Sequence, residues 1–424
     1  MIVRAKIVLP ISQPPIREGA ILISGNRIAA VGSWNDLKSS GGEVVDLGDV
    51  IILPGLINAH CHLDYTDMAG MIAPPKSFSG WIKELLAIKA TWSYSEYAQS
   101  WINGAKMLAR TGTTTVADIE AVPELLPEVW SATPLRVVSL LELTNVKSRL
   151  SATKMVHETT QKIESLHDAK CSAGLSPHAL YSTSPELLKR SAEIAREKKW
   201  LISTHVAESA EEAEMFEHRR GALFNWLKTQ RDMSDLGVSP VELLHRQEML
   251  GENFLAVHAN YISNRDAALL GKNGCSVVHC PRSHDYFGHK KFPQKILSAA
   301  RVNISLGTDS LVSTTSKSKK KLELNLFSEM QSFAKTNPDV SPETILRMAT
   351  VNGARALNMA GRIGELSAGS FADLIALPFS KSANPYESVV QNAAGILALM
   401  IDGTWPKSWA VSDLGTQKIS AANS

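Results

Sequence analysis

Short apolar runs rich in β-branched residues alternate along this chain with longer stretches whose apolar residues recur every three or four positions. Eight such runs stand out: PGLINAH (54–60), TGTTTVADI (111–119), LRVVSLLEL (135–143), CSAGLSPH (171–178), LISTHVAE (201–208), FLAVHANY (254–261), CSVVHC (275–280) and VNISLGTD (302–309). The intervening stretches read as amphipathic helices. In SPELLKRSAEIAREKKW (184–200), Ser184 or Pro185 opens a helix, and Leu187, Leu188, Ala192 and Ile194 form most of one face. This alternation is the signature of βα units around a parallel sheet. Eight units over about 255 residues match the size of a (β/α)8 TIM-like barrel, an α/β fold.

Both ends of the chain read differently. AILISGNRIAAVGS (20–33) alternates on either side of Gly25-Asn26, which predicts a β-hairpin. FADLIALP (371–378) and AGILALMIDGTWP (394–406) also read as strands, with Asp402-Gly403 as a second hairpin turn. Neither end is long enough for a good core of its own. The expected arrangement is one small β-sandwich domain built from residues 1–53 and 365–424, flanking a barrel of residues 54–364.

Composition narrows the function classes. The chain has 424 residues, with 44 Lys and Arg against 42 Asp and Glu. So even a balance offers no general attraction for nucleic acid or for an anionic membrane. No stretch of about 18 apolar residues is present to span a bilayer. The N-terminal MIVRAKIVLPISQPP lacks the h-region and cleavage site of a signal peptide. Four cysteines without a CxxC pair (Cys61, Cys171, Cys275 and Cys280) suit a reduced, cytoplasmic setting.

The polar residues carry the chemistry. His60, Asp118, Glu142, His178, His205, His258, His279 and Asp309 each sit at or just past the C-terminal end of a run. In a (β/α)8 barrel that rim is where active sites are built. His60 and His62 are two positions apart at the close of the first run, so both imidazoles can face one ion. With His205, His258 and Asp309 they make a nitrogen-rich set with one carboxylate. Such a set suits one divalent ion, Zn²⁺ or Fe²⁺, with a position open for water.

At these residues the chain resembles the amidohydrolase superfamily. PGLINAHCH, STHVAES, VHAN, HCPRSH and LGTDS stand at successive strand ends, and GELSAGSFADLIAL resembles the segment that re-enters the small β domain. The resemblance spans essentially the whole chain. GLSPHALYS offers no lysine, which matches the mononuclear branch that lacks a bridging carboxylated lysine. The resemblance implies His60, His62, His205 and Asp309 as metal ligands. It also implies that HVAES is the HxxE of aminohydrolases acting on ring amidines. Glu208 would then shuttle protons, while Asp309 and His258 orient water and accept its proton. The neighbours Glu211, Glu212 and Glu214 read as a solvated acidic face.

Substrate contacts follow in the same way. SPHALYSTSPELL resembles the strand-four segment of the methylthioadenosine/S-adenosylhomocysteine deaminases, which makes His178 a binding candidate. HCPRSHDYFGH supplies Ser283 and His284, with His284 where related nucleoside deaminases carry Asn. The acidic ribose-binding residue of those deaminases, expected about eleven positions after the loop tryptophan, is not evident: counting from Trp81 reaches Trp92. HLDYTDMAGMIAPPKSFSGWIKELL is closer to the 6-aminodeoxyfutalosine deaminases, through His62-Leu63-Asp64 and the Phe78 to Trp81 segment. Lys317, Lys319, Lys320 and Lys321 follow the last run and read as a solvated helix entry, or as partners of a substrate carboxylate. The resulting expectation is hydrolytic deamination of an adenine-type nucleoside, with release of ammonia. A homodimer is compatible with it. Hydrolysis of another C–N or C–Cl bond, in guanine- or triazine-type rings, is the alternative. A non-catalytic structural subunit, as related barrels form, would have lost ligands that are complete here.

Overall fold

The computed structural model describes residues 1–146, 150–315, 322–379 and 384–406. Before the barrel come β1 (Ile2–Val8), β2 (Ile16–Ser24), β3 (Arg27–Ser33), β4 (Val44–Asp46) and β5 (Val50–Pro54). The eight runs then become β6 (Leu56–Cys61), β7 (Thr113–Glu120), β8 (Arg136–Leu143) and β9 (Ser172–Pro177), followed by β10 (Ile202–Val206), β11 (Phe254–His258), β12 (Ser276–His279) and β13 (Asn303–Leu306). The chain returns through β14 (Leu374–Pro378) and β15 (Ala398–Met400).

Strands β6 to β13 lie side by side in sequence order, paired in parallel. A parallel bridge between Cys61 and Asp309 brings the end of the sheet round to its beginning. Every residue of β6, β7 and β10 to β13 is buried. Parallel strands covered on both faces need such continuous apolar runs, which is why they were visible in the sequence. Closure depends on Gly307. A Cβ there would lie 2.8 Å from the carbonyl oxygen of His60, closer than side chains sit. With glycine in place, the amides of Thr308 and Asp309 both donate to that carbonyl at 3.1 Å. The first and last strand ends are thereby locked together at the rim.

The outer helices follow their sequence signals. Ser184 caps Pro185–Lys198 by accepting from Leu187 N, and Lys199 ends it in the left-handed region. Its buried face is Leu187, Leu188, Ser191, Ala192 and Ala195. Ile194 is only partly buried, one position off that stripe.

The terminal strands form a second sheet in the order β15-β14-β5-β1-β2-β3. It is one hydrogen-bonded sheet of seven strands rather than two separately bonded layers. One edge of β1 is shared, since Ile2–Arg4 pairs with β4 and Ile7–Val8 with β5. The sheet encloses its own apolar cluster, including Val3, Ile21, Ile52, Leu374 and Met400. Both expected turns are present. Asp402 and Gly403 have φ of 49° and 70°, the left-handed pair of a two-residue hairpin. Gly403 also packs against the Gly25 turn, where a Cβ would collide with the Gly25 carbonyl. Buried Arg136, the first residue of β8, pairs with Asp402 at 2.7 Å and Asp373 at 3.5 Å, fastening the barrel to this sheet. Among the described residues no helix is long and apolar enough to cross a membrane.

Candidate active site

The C-terminal ends of β6, β10, β11 and β13 bring His60, His62, His205, His258 and Asp309 together, all buried. The ring centre of His60 lies 5.0 Å from that of His62 and 5.0 Å from that of His205. Nε2 of His60 and Nε2 of His62 each stand 3.7 Å from Asp309 Oδ1, beyond hydrogen-bond range. Three overlapping trios have ligand atoms within 4.8 Å of one another: His60-His62-Asp309, His60-His205-His258 and Glu208-His258-Asp309. Both ring nitrogens of His60 and Nδ1 of His62 are buried without a hydrogen-bond partner. Buried polar atoms are rarely left so. A divalent ion bonded by one nitrogen of each imidazole and by Asp309 would give His60 Nε2 the partner it lacks, so the residues fit the metal expected from the sequence. His258 lies as close to this cluster as the four expected ligands do.

Protonation matches that use. Burial, reinforced by His178 and His60, lowers His205 to about 3. Burial likewise takes His62 and His258 well below the ordinary imidazole range. All three are therefore neutral, the form that binds metal. Burial works against the charge of Asp309, but the surrounding His60, His258 and His62 outweigh it and hold the carboxyl well below its usual range.

Hydrogen bonds around the cluster aim it. His205 Nδ1 lies 2.7 Å from the carbonyl of His178. A carbonyl only accepts, so Nδ1 carries the proton and Nε2 keeps its lone pair toward the cluster. Asp309 Oδ2 accepts from Ser283 Oγ at 2.6 Å and Ser313 Oγ at 3.2 Å, and Oδ1 accepts from Ser310 N at 2.8 Å. The backbone is strained at the same places, with φ of 48° at Ala207, 70° at His258, 50° at Ala259 and 55° at Asp309. Left-handed residues other than glycine cost free energy and gather at functional sites.

Glu208 is buried beside His258, its Oε1 3.6 Å from His258 Nε2. Burial, then the charges of Asp309 and Glu212, raise its carboxyl well above the usual range. That direction suits a group that must give and take protons. Two of its acidic neighbours are not the solvated face the sequence suggested. Glu212 is fully buried and accepts from the amides of Ala207 at 3.0 Å and Glu208 at 2.8 Å, bracing the strained turn. Glu211 reaches across to Phe78–Lys89, accepting from Phe78 N at 2.8 Å and Ser79 N at 3.3 Å. Only Glu214 stays on the surface, paired with Arg220. Glu212 shares a helical face with buried Met215 and Phe216, three and four positions on, and that spacing was the available signal.

A cavity of about 280 Å³ opens onto this cluster. His62, His178, His205, Glu208, His258 and Asp309 line one side of it, and Phe78, Trp81, Leu85, Leu86 and Trp226 supply much of the rest. The candidates His178 and Trp81 therefore face the cavity. Ser283 and His284 are not part of its lining. Ser283 spends its hydroxyl on Asp309, and His284 Nδ1 is 3.0 Å from Asn260 Oδ1. Their loop folds into Pro281–Phe287, which turns both side chains toward neighbouring loops. Lys89 and Glu142 line the cavity and were not assigned from sequence. Lys317, Lys319, Lys320 and Lys321 lie outside the described residues.

Known proteins share this architecture. A 5-methylthioadenosine/S-adenosylhomocysteine deaminase of Syntrophobacter fumaroxidans is 32% identical over 385 residues, covering 86% of this chain and 80% of that protein. The crystal structure of Helicobacter pylori aminofutalosine deaminase in complex with methylthio-coformycin superposes with a TM-score of 0.85 at 21% identity, covering 96% of this chain and 99% of the other. An adenosine deaminase from Xanthomonas campestris with bound zinc gives 0.84 at 22% identity, covering 100% of this chain and 96% of the other. The amidohydrolase family pattern matches residues 51–405, from β5 through the whole barrel and back into the terminal sheet. A closed parallel barrel with histidines and an aspartate gathered at its rim is thus matched over most of its length, and the chain belongs to the amidohydrolase family.

Proposed function

We propose that this protein is a metal-dependent hydrolase that removes the exocyclic amine of an adenine-type nucleoside as ammonia. The observation that carries the reading is a buried Glu208 beside the His60-His62-His205-His258-Asp309 cluster, lining a cavity whose wall is largely aromatic and aliphatic. His60, His62, His205 and Asp309 would hold the ion, Zn²⁺ in the first instance. Held there, it supplies the Lewis acidity that makes water a competent nucleophile near neutral pH. Asp309, fixed by Ser283, Ser313 and Ser310 N, takes the proton of the attacking water. His258, beside both Asp309 and Glu208, orients that water. Glu208 delivers a proton to the ring nitrogen next to the attacked carbon and then to the departing amine. Trp81 and His178 border the space for the base.

The deaminase names of the relative and of the structural neighbours support an adenine ring. 5′-Modified adenosines, 6-aminodeoxyfutalosine among them, are the substrates we favour, because Phe78, Trp81, Leu85, Leu86 and Trp226 make much of the wall beyond the polar cluster apolar. All four cysteines are free and buried, which accords with a cytoplasmic setting. The test is an ammonia-release panel on zinc-loaded protein with adenosine, 5′-methylthioadenosine, S-adenosylhomocysteine, 6-aminodeoxyfutalosine, guanine and a chlorotriazine. Turnover confined to the adenine nucleosides is expected. Ammonia from guanine alone, or chloride from the triazine, would overturn the reading.

A further inference from the structure

An imidazole that binds metal through one nitrogen is normally held by a hydrogen bond at the other, which keeps the ring in orientation. His205 follows this rule, with Nδ1 on the carbonyl of His178. His62 does not. Its Nε2 stands 3.7 Å from Asp309 Oδ1, but its Nδ1 is buried without a hydrogen-bond partner among the described residues. Two rings stack on it instead. One, His205 at 5.5 Å, is a fellow ligand; the other is Tyr65, at 5.2 Å with an interplanar angle of 9°. Tyr65 is itself buried, in the short turn Leu63–Met68 that follows β6. Its hydroxyl accepts a hydrogen bond from Lys89 Nζ, which lies 4.7 Å from the centre of the tyrosine ring.

Lys89 is the last residue of the helix Phe78–Lys89, whose Phe78, Trp81, Leu85 and Leu86 wall the cavity. It is fixed twice more. Its Nζ lies 3.7 Å from Glu142 Oε1 on β8, and its carbonyl accepts from the hydroxyl of Tyr97 at 3.1 Å. Burial opposes the charge on Glu142, but Lys89 outweighs it and keeps the carboxyl below its usual range. We propose that Lys89 is a positioning residue for the metal site: anchored by Glu142, it fixes Tyr65, and Tyr65 holds the ring of His62. The proposal rests on the metal-dependent reading above. It makes the helix that walls the cavity also the support of a metal ligand, so the two are set together. A lysine there only to meet substrate would leave metal affinity untouched, which separates the two roles.

Zn²⁺ affinity, measured by chelator competition on stripped and reloaded protein, tests this without any substrate. Outer partners of metal ligands typically contribute about 10- to 100-fold in affinity, and Tyr65→Leu, which removes the stack, should lose that much. Lys89→Met and Tyr65→Phe remove the two sides of one hydrogen bond. Each should lose about 3- to 10-fold, and the double variant no more than either. In Co²⁺-loaded protein both should change the visible absorption of the ion in the same way, since both loosen the same ligand. Should Lys89→Met fail to fold, Lys89→Met with Glu142→Gln leaves no unpaired buried carboxylate and is held to the same result. A lysine variant with wild-type Zn²⁺ affinity and Co²⁺ spectrum would overturn the proposal, and a rise in KM alone would make Lys89 a substrate contact. Additive losses in the double variant would overturn it as well, because Lys89 would then act by another route. If wild type binds no divalent ion, the metal reading falls and this inference with it. If wild type binds Zn²⁺ but deaminates no nucleoside, only the deaminase reading falls, and the affinity series still decides.

Discussion

Two groups of histidines sit at the same rim, and their surroundings differ. At β6, β10 and β11, His60, His62, His205 and His258 converge on Asp309 and Glu208, with three ring nitrogens left without partners. At the end of β12 and in the segment after it, His279, His284 and His289 also lie ring to ring, 5.2 Å and 5.3 Å apart. There His279 stacks on Phe292 at 3.8 Å, His284 meets Asn260, and His289 lies 3.3 Å from the hydroxyl of Tyr261. No carboxylate joins that second group in a ligand-spaced trio among the described residues. Burial takes His289 to about 3 and His279 well below its ordinary range, as it lowers His62, His205 and His258 in the first group. Clustered imidazoles therefore do not by themselves fit a metal. Neither do unpartnered nitrogens, since His279 Nδ1 and His289 Nε2 are also buried without a hydrogen-bond partner. What sets the first group apart is its carboxylates at ligand spacing.

The largest effect should come from His60→Ala. Removing the ring nearest the centre of the first group should abolish both metal binding and turnover, read by elemental analysis and ammonia release. Retained metal with full activity would dissolve the distinction between the two groups.

Glu208→Gln separates proton transfer from metal binding within the first group. Gln is nearly isosteric and still hydrogen-bonds, but cannot exchange a proton near neutral pH. Metal should stay, while kcat falls by about 10²-fold or more. A metal-free variant would instead make Glu208 a ligand or a support.

The two substitutions with smaller effects show how much the sequence disclosed. Strand ends were legible because buried parallel strands carry continuous apolar runs, and the residue closing each run is the rim residue. Direction was not legible. Ser283 lies in the segment expected to touch substrate, yet its hydroxyl bonds Asp309. Ser283→Ala should therefore cost about 10- to 100-fold in metal affinity or activity, the usual scale for a group that orients a ligand, with little change in substrate affinity. Long-range partnerships were hidden for the same reason. Glu211 meets Phe78 across 133 positions, and nothing local distinguishes it from Glu214, which does face solvent. His289→Gln should give the smallest effect, leaving metal content and kcat unchanged, since among the described residues the hydrogen bond of His289 goes to Tyr261 and not to the first group. A large loss of metal from that variant would show that the two groups act as one.

The account as a whole stands on one ion serving one deaminating centre. Its most direct test is to strip the protein with chelator, titrate in Zn²⁺, and follow ammonia release from 5′-methylthioadenosine. Activity should be absent from stripped protein, rise with added metal, and level off at one equivalent per chain. Ammonia release without metal, or a plateau reached only at two equivalents, would contradict it.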